Sequence, residues 1–178
     1  MANDNTHDRK LIVDLGCGEN EKGFYTAKAK DNVVRIDGYI ADKEFKRKHG
    51  IIEQDFVQRK LPFGTNTVDK FVLKNSIRPN LTGPKRIKQL LKNLSRPLKV
   101  GGTVYITDEP TMNSPKACNK LGMEDGYDFD EYKKALLPFI NSNEHDLILT
   151  ASKCTDHGIF KQAELILQKV PKEAKCNG

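Results

Sequence analysis

Leu11-Ile12-Val13-Asp14-Leu15-Gly16-Cys17-Gly18 orders its residue types in a way that suits one kind of chemistry. An apolar run carries an acidic residue near its end and breaks into Gly-x-Gly. Glycine permits positive φ and close approach of the backbone to a ligand. The run therefore reads as a buried parallel strand that delivers the chain into a tight turn against a nucleotide-like cofactor. A dinucleotide loop of the form G-x-G-x-x-G places a third glycine where a helix packs on its strand; Glu21 stands at that position here, which weighs against NAD. A second apolar segment, Val33-Val34-Arg35-Ile36, ends in Asp37. That is about 20 residues past the glycines, the spacing at which a carboxylate accepts hydrogen bonds from ribose hydroxyls.

Further segments follow in order. Ile51-Ile52-Glu53-Gln54 leads to Asp55-Phe56, and Leu61-Pro62-Phe63 precedes Val68-Asp69-Lys70-Phe71-Val72-Leu73. Leu98-Lys99-Val100-Gly101-Gly102 then turns into Thr103-Val104-Tyr105-Ile106-Thr107. Over roughly residues 10–107 this succession resembles the class I S-adenosylmethionine-dependent methyltransferases. In that family the first strand ends in D-x-G-x-G and an acidic residue closes the second. An Asp followed by an apolar residue comes after the third strand. L-P-F precedes the fourth, and L-K-x-G-G precedes the fifth.

The resemblance implies S-adenosyl-L-methionine as cofactor. It implies a loop made by Asp14, Gly16, Cys17 and Gly18, ribose contacts from Asp37 with Gly38 beside it, and adenine contacts from Asp55 and Phe56. Lys74, at the exit of the fourth strand, completes the cofactor set. The methyl acceptor falls to segments 74–79 and 108–115, with Asp108 and Glu109 as candidate catalytic carboxylates. A carboxylate there serves as a base when the acceptor must lose a proton, or binds a cationic acceptor. The acceptor itself, a small molecule, protein or RNA, is not named by any motif. Lys74-Asn75-Ser76-Ile77-Arg78-Pro79 lacks the N/D-P-P-Y/F motif of enzymes that methylate exocyclic base amines. Asn20 stands where the family loop often has a third glycine, and asparagine tolerates the left-handed conformation.

Three other classes compete, of which an NAD-type oxidoreductase is disfavoured by Glu21 and by the Leu61-Pro62-Phe63 and Lys99-Val100-Gly101-Gly102 motifs. A second is a catalytically inactive S-adenosylmethionine-binding protein of the same fold, suggested by the short N-terminal segment and by residues 19–32, which lack a clear amphipathic pattern. The third is an RNA-binding module or RNA-directed methyltransferase, suggested by Lys85, Arg86, Lys88, Lys92 and Arg96 on one face of a helix.

The elements that must position these residues alternate between strand and helix. That pattern predicts an α/β, doubly wound, mostly parallel seven-stranded sheet with an antiparallel last strand. Strands are expected near 10–15, 33–37, 51–54, 69–74, 103–107, 145–151 and 162–170. Ile87, Leu90, Leu91 and Leu94 give a helix over 84–96, with Thr82 as N-cap and Pro84 in the first turn. A second helix is expected near 129–141 and contains Pro138.

The chain of 178 residues suits one domain over 9–171, between an N-terminal tail at 1–8 and a C-terminal tail at 172–178. No apolar run approaches the ~20 residues of a membrane span. Cys17, Cys118, Cys154 and Cys176 are scattered without a C-x-x-C pair, which points away from zinc and toward a reduced, cytoplasmic setting. Cys17 is read as a small buried filler. A net charge of +6 permits an acidic partner without requiring one. His49, His145 and His157 read as isolated surface or strand-end residues.

Overall fold

The computed structural model describes residues 9–19, 31–74, 83–108, 129–156 and 161–175. Within them seven strands form one sheet: β1 (Leu11–Leu15), β2 (Asn32–Asp37), β3 (Ile52–Glu53), β4 (Val68–Lys74), β5 (Leu98–Asp108), β6 (Leu147–Asp156) and β7 (Lys161–Lys169). Their order is β3-β2-β1-β4-β5-β7-β6. All pairings from β3 to β5 are parallel, and β7 runs antiparallel to both β5 and β6. This is the doubly wound sheet the alternation predicts.

The central strands read as near-continuous apolar runs because they are covered on both faces. Ile12, Val13, Leu15, Phe71, Val72 and Leu73 are all buried. The helices are α1 (Lys43–Lys48), α2 (Pro84–Ser95), α3 (Phe129–Ile140) and the short α4 (Lys172–Lys175). α2 buries Ile87, Leu90, Leu91 and Leu94, the apolar stripe legible in the sequence. They meet Val13, Phe71, Val104 and Leu136 in the main core.

Four local differences from expectation have physical causes. First, α2 has Gly83, not Thr82, at its N-cap position, with φ 75° and no side-chain cap; Thr82 lies outside the described residues. Second, β5 begins at Leu98 rather than 103. The register jumps from Val68 opposite Leu98 to Lys70 opposite Thr103, so Lys99 to Gly102 form a bulge instead of a free turn. A Cβ on Gly102 would lie 2.9 Å from the Lys99 carbonyl and 3.0 Å from that of Asp69, so only glycine fits. Third, β6 begins at Leu147, not 145. The Leu147 amide donates to His145 Nδ1 (3.2 Å), and His145 Nε2 lies 2.9 Å from the Phe139 carbonyl. His145 is thus a buried bridge from α3 to β6, not an isolated strand-end histidine. Fourth, α1 has no apolar periodicity to announce it. It forms because Asp42 accepts from the amides of Glu44 and Phe45, and Lys46, Arg47 and Lys48 complement its C-terminal dipole.

Candidate functional site

In an open α/β sheet, ligands bind beyond the carboxyl ends of the strands, where the strand order reverses. Here that point lies between β1 and β4, and the glycine loop leaves β1 directly into it. Gly16 and Gly18 both have positive φ, 71° and 58°. The Gly16 amide donates to the Ile36 carbonyl (2.8 Å), which ties the loop to β2. A Cβ built on Gly18 meets nothing within 4 Å among the described residues.

Asp37 organises this loop. Its Oδ2 accepts from the Gly18 amide (2.8 Å) and its Oδ1 from the Tyr39 amide (3.0 Å). A carboxylate offers about four acceptor sites, so the two oxygens retain capacity for further donors. Glu19 Oε1 accepts from the Asp42 amide (2.9 Å) and joins the same loop to the cap of α1. Gly38 follows Asp37 on the exposed surface, and Tyr39 is 71% exposed beside it.

Asp14 is fully buried in β1, level with Arg35 of β2 and Val72 of β4. Cys17 is also buried, against Ile40 and Ile51 with Phe45 beside them, the filler position read from the sequence. Burial first, and then the charges of Asp14 and Asp37, push its thiol from 9.0 up to about 12. At neutral pH this favours the thiol over the thiolate. What Cys17 can offer a ligand is main chain.

After β3, Asp55 caps a turn: its Oδ1 accepts from the amides of Val57 (3.0 Å) and Gln58 (3.1 Å). Its Oδ2 lies 3.7 Å from Arg86 Nη2 at the start of α2. The Phe56 ring belongs to the main core, so what Phe56 leaves for a ligand is its backbone. Sequence reading missed how this loop is held. Asn93 of α2, 6% exposed, donates through Nδ2 to the carbonyls of Phe56 (3.3 Å), Val57 (2.8 Å) and Arg59 (3.0 Å). Arg96 Nη2 donates to the Leu61 carbonyl (2.8 Å). The only sequence signal was an asparagine inside an otherwise apolar helical stripe.

The fold thus brings Asp14, Gly16, Cys17, Gly18, Asp37, Gly38, Asp55 and Phe56 to one edge of the sheet. Lys74 and Asp108 end β4 and β5 at the same edge. Glu109, the rest of 109–115 and residues 75–79 lie outside the described residues. The basic face of α2 is largely paired: Lys88 and Lys92 both bridge to Glu144, Arg86 faces Asp55, and Arg96 is bound to Leu61. Among the described residues, no cluster of His, Cys, Asp and Glu could hold a metal ion, and no helix is long and apolar enough to cross a membrane.

No protein-family model matches the sequence, and no curated protein does. Solved structures do match over nearly the whole chain. A SAM-dependent methyltransferase from Methanosarcina mazei aligns with TM-score 0.64 and 16% identity, covering 91% of this chain and 93% of its own. A putative methyltransferase solved with the Haloferax volcanii Trm112 activator aligns with TM-score 0.60 and 16% identity, covering 91% and 82%. Geranyl diphosphate C-methyltransferase from Streptomyces coelicolor, bound to S-adenosyl-L-homocysteine, aligns with TM-score 0.55 and 13% identity, covering 90% and 70%. The chain has the class I methyltransferase fold, as the order of its motifs implies.

Its residues also fit the cofactor such folds carry. Among the described residues no atom lies within 4 Å of a Cβ on Gly18, and Asp37 keeps acceptor capacity next to it.

Proposed function

We propose that the protein is an S-adenosylmethionine-dependent methyltransferase. One observation carries this reading: Gly18 and Asp37 are joined by a hydrogen bond at the carboxyl edge of β1 and β2, within a sheet of methyltransferase order. Asp37 accepts from the ribose hydroxyls with the capacity its two amide bonds leave. The main chain of Gly16, Cys17 and Gly18 lies against the amino-acid portion of the cofactor, below which Asp14 adds negative charge. Asp55 Oδ2 and the Phe56 backbone border the adenine, Gly38 leaves room beside the ribose, and Lys74 closes the site from β4.

The cofactor supplies a methyl group on a positively charged sulfur. The protein contributes alignment and exclusion of water, which is catalysis by proximity and orientation. Asp108 and Glu109 are assigned to the acceptor side, as the groups that take or balance a proton there. The acceptor class stays open among small molecules, proteins and RNA. A small or protein acceptor agrees better with the paired basic face of α2 than RNA does.

Calorimetry with S-adenosylmethionine, S-adenosylhomocysteine and NAD tests the reading. Heat from both adenosyl ligands and none from NAD is expected; binding of NAD alone would overturn it. Once a labelled-methyl screen has found an acceptor, Asp108→Ala and Glu109→Ala should keep cofactor affinity and lose turnover. Full turnover in both would remove the two carboxylates from the mechanism.

A further inference from the structure

Asn93 has no part in the reading above, yet it spends a core position on a polar group. It lies on the buried side of α2 with Leu90, Leu91 and Leu94. A leucine there would extend the apolar stripe without the desolvation cost of an amide. Instead, two N–H protons serve three carbonyls, those of Phe56, Val57 and Arg59. Gln89 Nε2 donates to Asn93 Oδ1 (2.9 Å), which orients the amide so that its nitrogen faces the loop. From the other side, Asp55 Oδ1 grips the Val57 and Gln58 amides. Residues 55–59 are therefore clamped on both their carbonyl and their amide sides, and that clamp, together with Arg86 Nη2 at 3.7 Å, sets the direction of Asp55 Oδ2.

We infer that Asn93, oriented by Gln89, is a positioning residue that fixes the 55–59 loop so that it discriminates the adenine base. The inference rests on the methyltransferase reading and deepens it. Asp55 Oδ2 is an acceptor, so it favours a base that presents an amino group and disfavours one that presents a carbonyl oxygen. That selectivity depends on where the oxygen is held. Asn93 holds it without touching the ligand.

The test compares binding of S-adenosylhomocysteine with that of S-inosylhomocysteine, whose base carries oxygen in place of the amino group. Wild type should prefer the adenosyl ligand. Asn93→Asp keeps the volume, removes both donors and sets a carboxylate against three carbonyls. It should cut the preference by about tenfold, the loss of one well-placed hydrogen bond. Gln89→Ala, on the exposed side of α2, leaves the core intact and should cut the preference by a smaller factor of the same sign. It carries the test if Asn93→Asp does not fold. A purely structural role would lower the melting temperature and leave the ratio alone. Lys169→Met, at the opposite edge of the sheet, gives that pattern for reference. A ratio within about twofold of wild type in the folded Asn93→Asp, or in Gln89→Ala if that alone folds, overturns the inference and spares the methyltransferase reading. Failure of wild type to bind either ligand overturns both.

Discussion

The two edges of the sheet use charge in opposite ways. At the amino edge, charged side chains are consumed by protein partners. Asp69 accepts from the Leu11 amide and from Lys99. Lys169, 7% exposed, donates to Asn66 Oδ1, the Ser95 carbonyl and the Leu98 carbonyl at 2.7–2.9 Å. Its three protons have three acceptors, and its charge sits at the C-terminal end of α2, where a helix favours a cation. At the carboxyl edge, by contrast, among the described residues the Asp37 carboxylate meets only the main-chain amides of Gly18 and Tyr39, and a Cβ on Gly18 would meet nothing within 4 Å. One edge closes the fold. The other holds polar groups in place with capacity to spare, which is what a binding site requires.

Substitutions at the two edges should therefore separate stability from binding. Lys169→Met leaves two buried carbonyls, those of Ser95 and Leu98, and the exposed Asn66 Oδ1 without their donor. It should cost about 3 kcal/mol of folding stability, read by chemical denaturation, and leave S-adenosylhomocysteine affinity unchanged. A loss of affinity comparable to the loss of stability would blur the distinction between the edges. Asp37→Ala should do the reverse: about 1.5–3 kcal/mol of cofactor affinity by calorimetry, with a smaller change in unfolding midpoint. Unchanged affinity in a folded Asp37→Ala protein removes Asp37 from the site.

Two glycines sharpen the same contrast at about 1–2 kcal/mol each. Gly102→Ala drives a Cβ into the Lys99 and Asp69 carbonyls, so it should lower stability alone. Gly18→Ala meets no atom among the described residues but strains a φ of 58°, and under the proposed function its methyl group enters the cofactor space, so it should lower affinity as well. Equal effects of both on ligand binding would argue against a binding role for the loop.

The smallest effect at neutral pH belongs to Cys17. Its folded pKa is raised from 9.0 to about 12, so the folded state holds a proton that the unfolded state releases. Stability from this group is complete below pH 9 and is lost as pH rises from there toward 12. Cys17→Ala should flatten that alkaline decline while changing little at pH 7. Site-resolved alkylation at pH 7.5 should label the exposed Cys154 and spare Cys17. Fast labelling of Cys17 would mean that its apolar pocket opens readily.

Much of this was legible along the chain wherever one strong local signal dominates. The apolar run of β1, the stripe of α2 and the glycine loop each follow from period and residue type. α1 was not legible, because none of its six residues is fully buried and Phe45 alone packs on an apolar cluster, so no helical stripe accompanies the Asp42 cap. Nor was the bulge at Gly101 and Gly102, which reads as a turn until β4 is placed beside it. His145, Asn93 and Lys169 looked like ordinary polar positions because their partners are remote in sequence. Asn93 lies 37 residues from Phe56, and Lys169 lies 103 from Asn66.

By itself the sequence determined the fold class, the strand that carries the glycines and the acidic residues at successive strand ends. Those are properties of short segments, set by side-chain period, backbone freedom and turn chemistry. Only the tertiary structure decided what each charge does. Asp37 became the organiser of the glycine loop, Asp55 a turn cap facing Arg86, and Asn93 the clamp behind it. A hydrogen bond is fixed by distances within about 3 Å, and only the packing of β1 against β2 and of α2 against the 55–61 loop brings these groups that close.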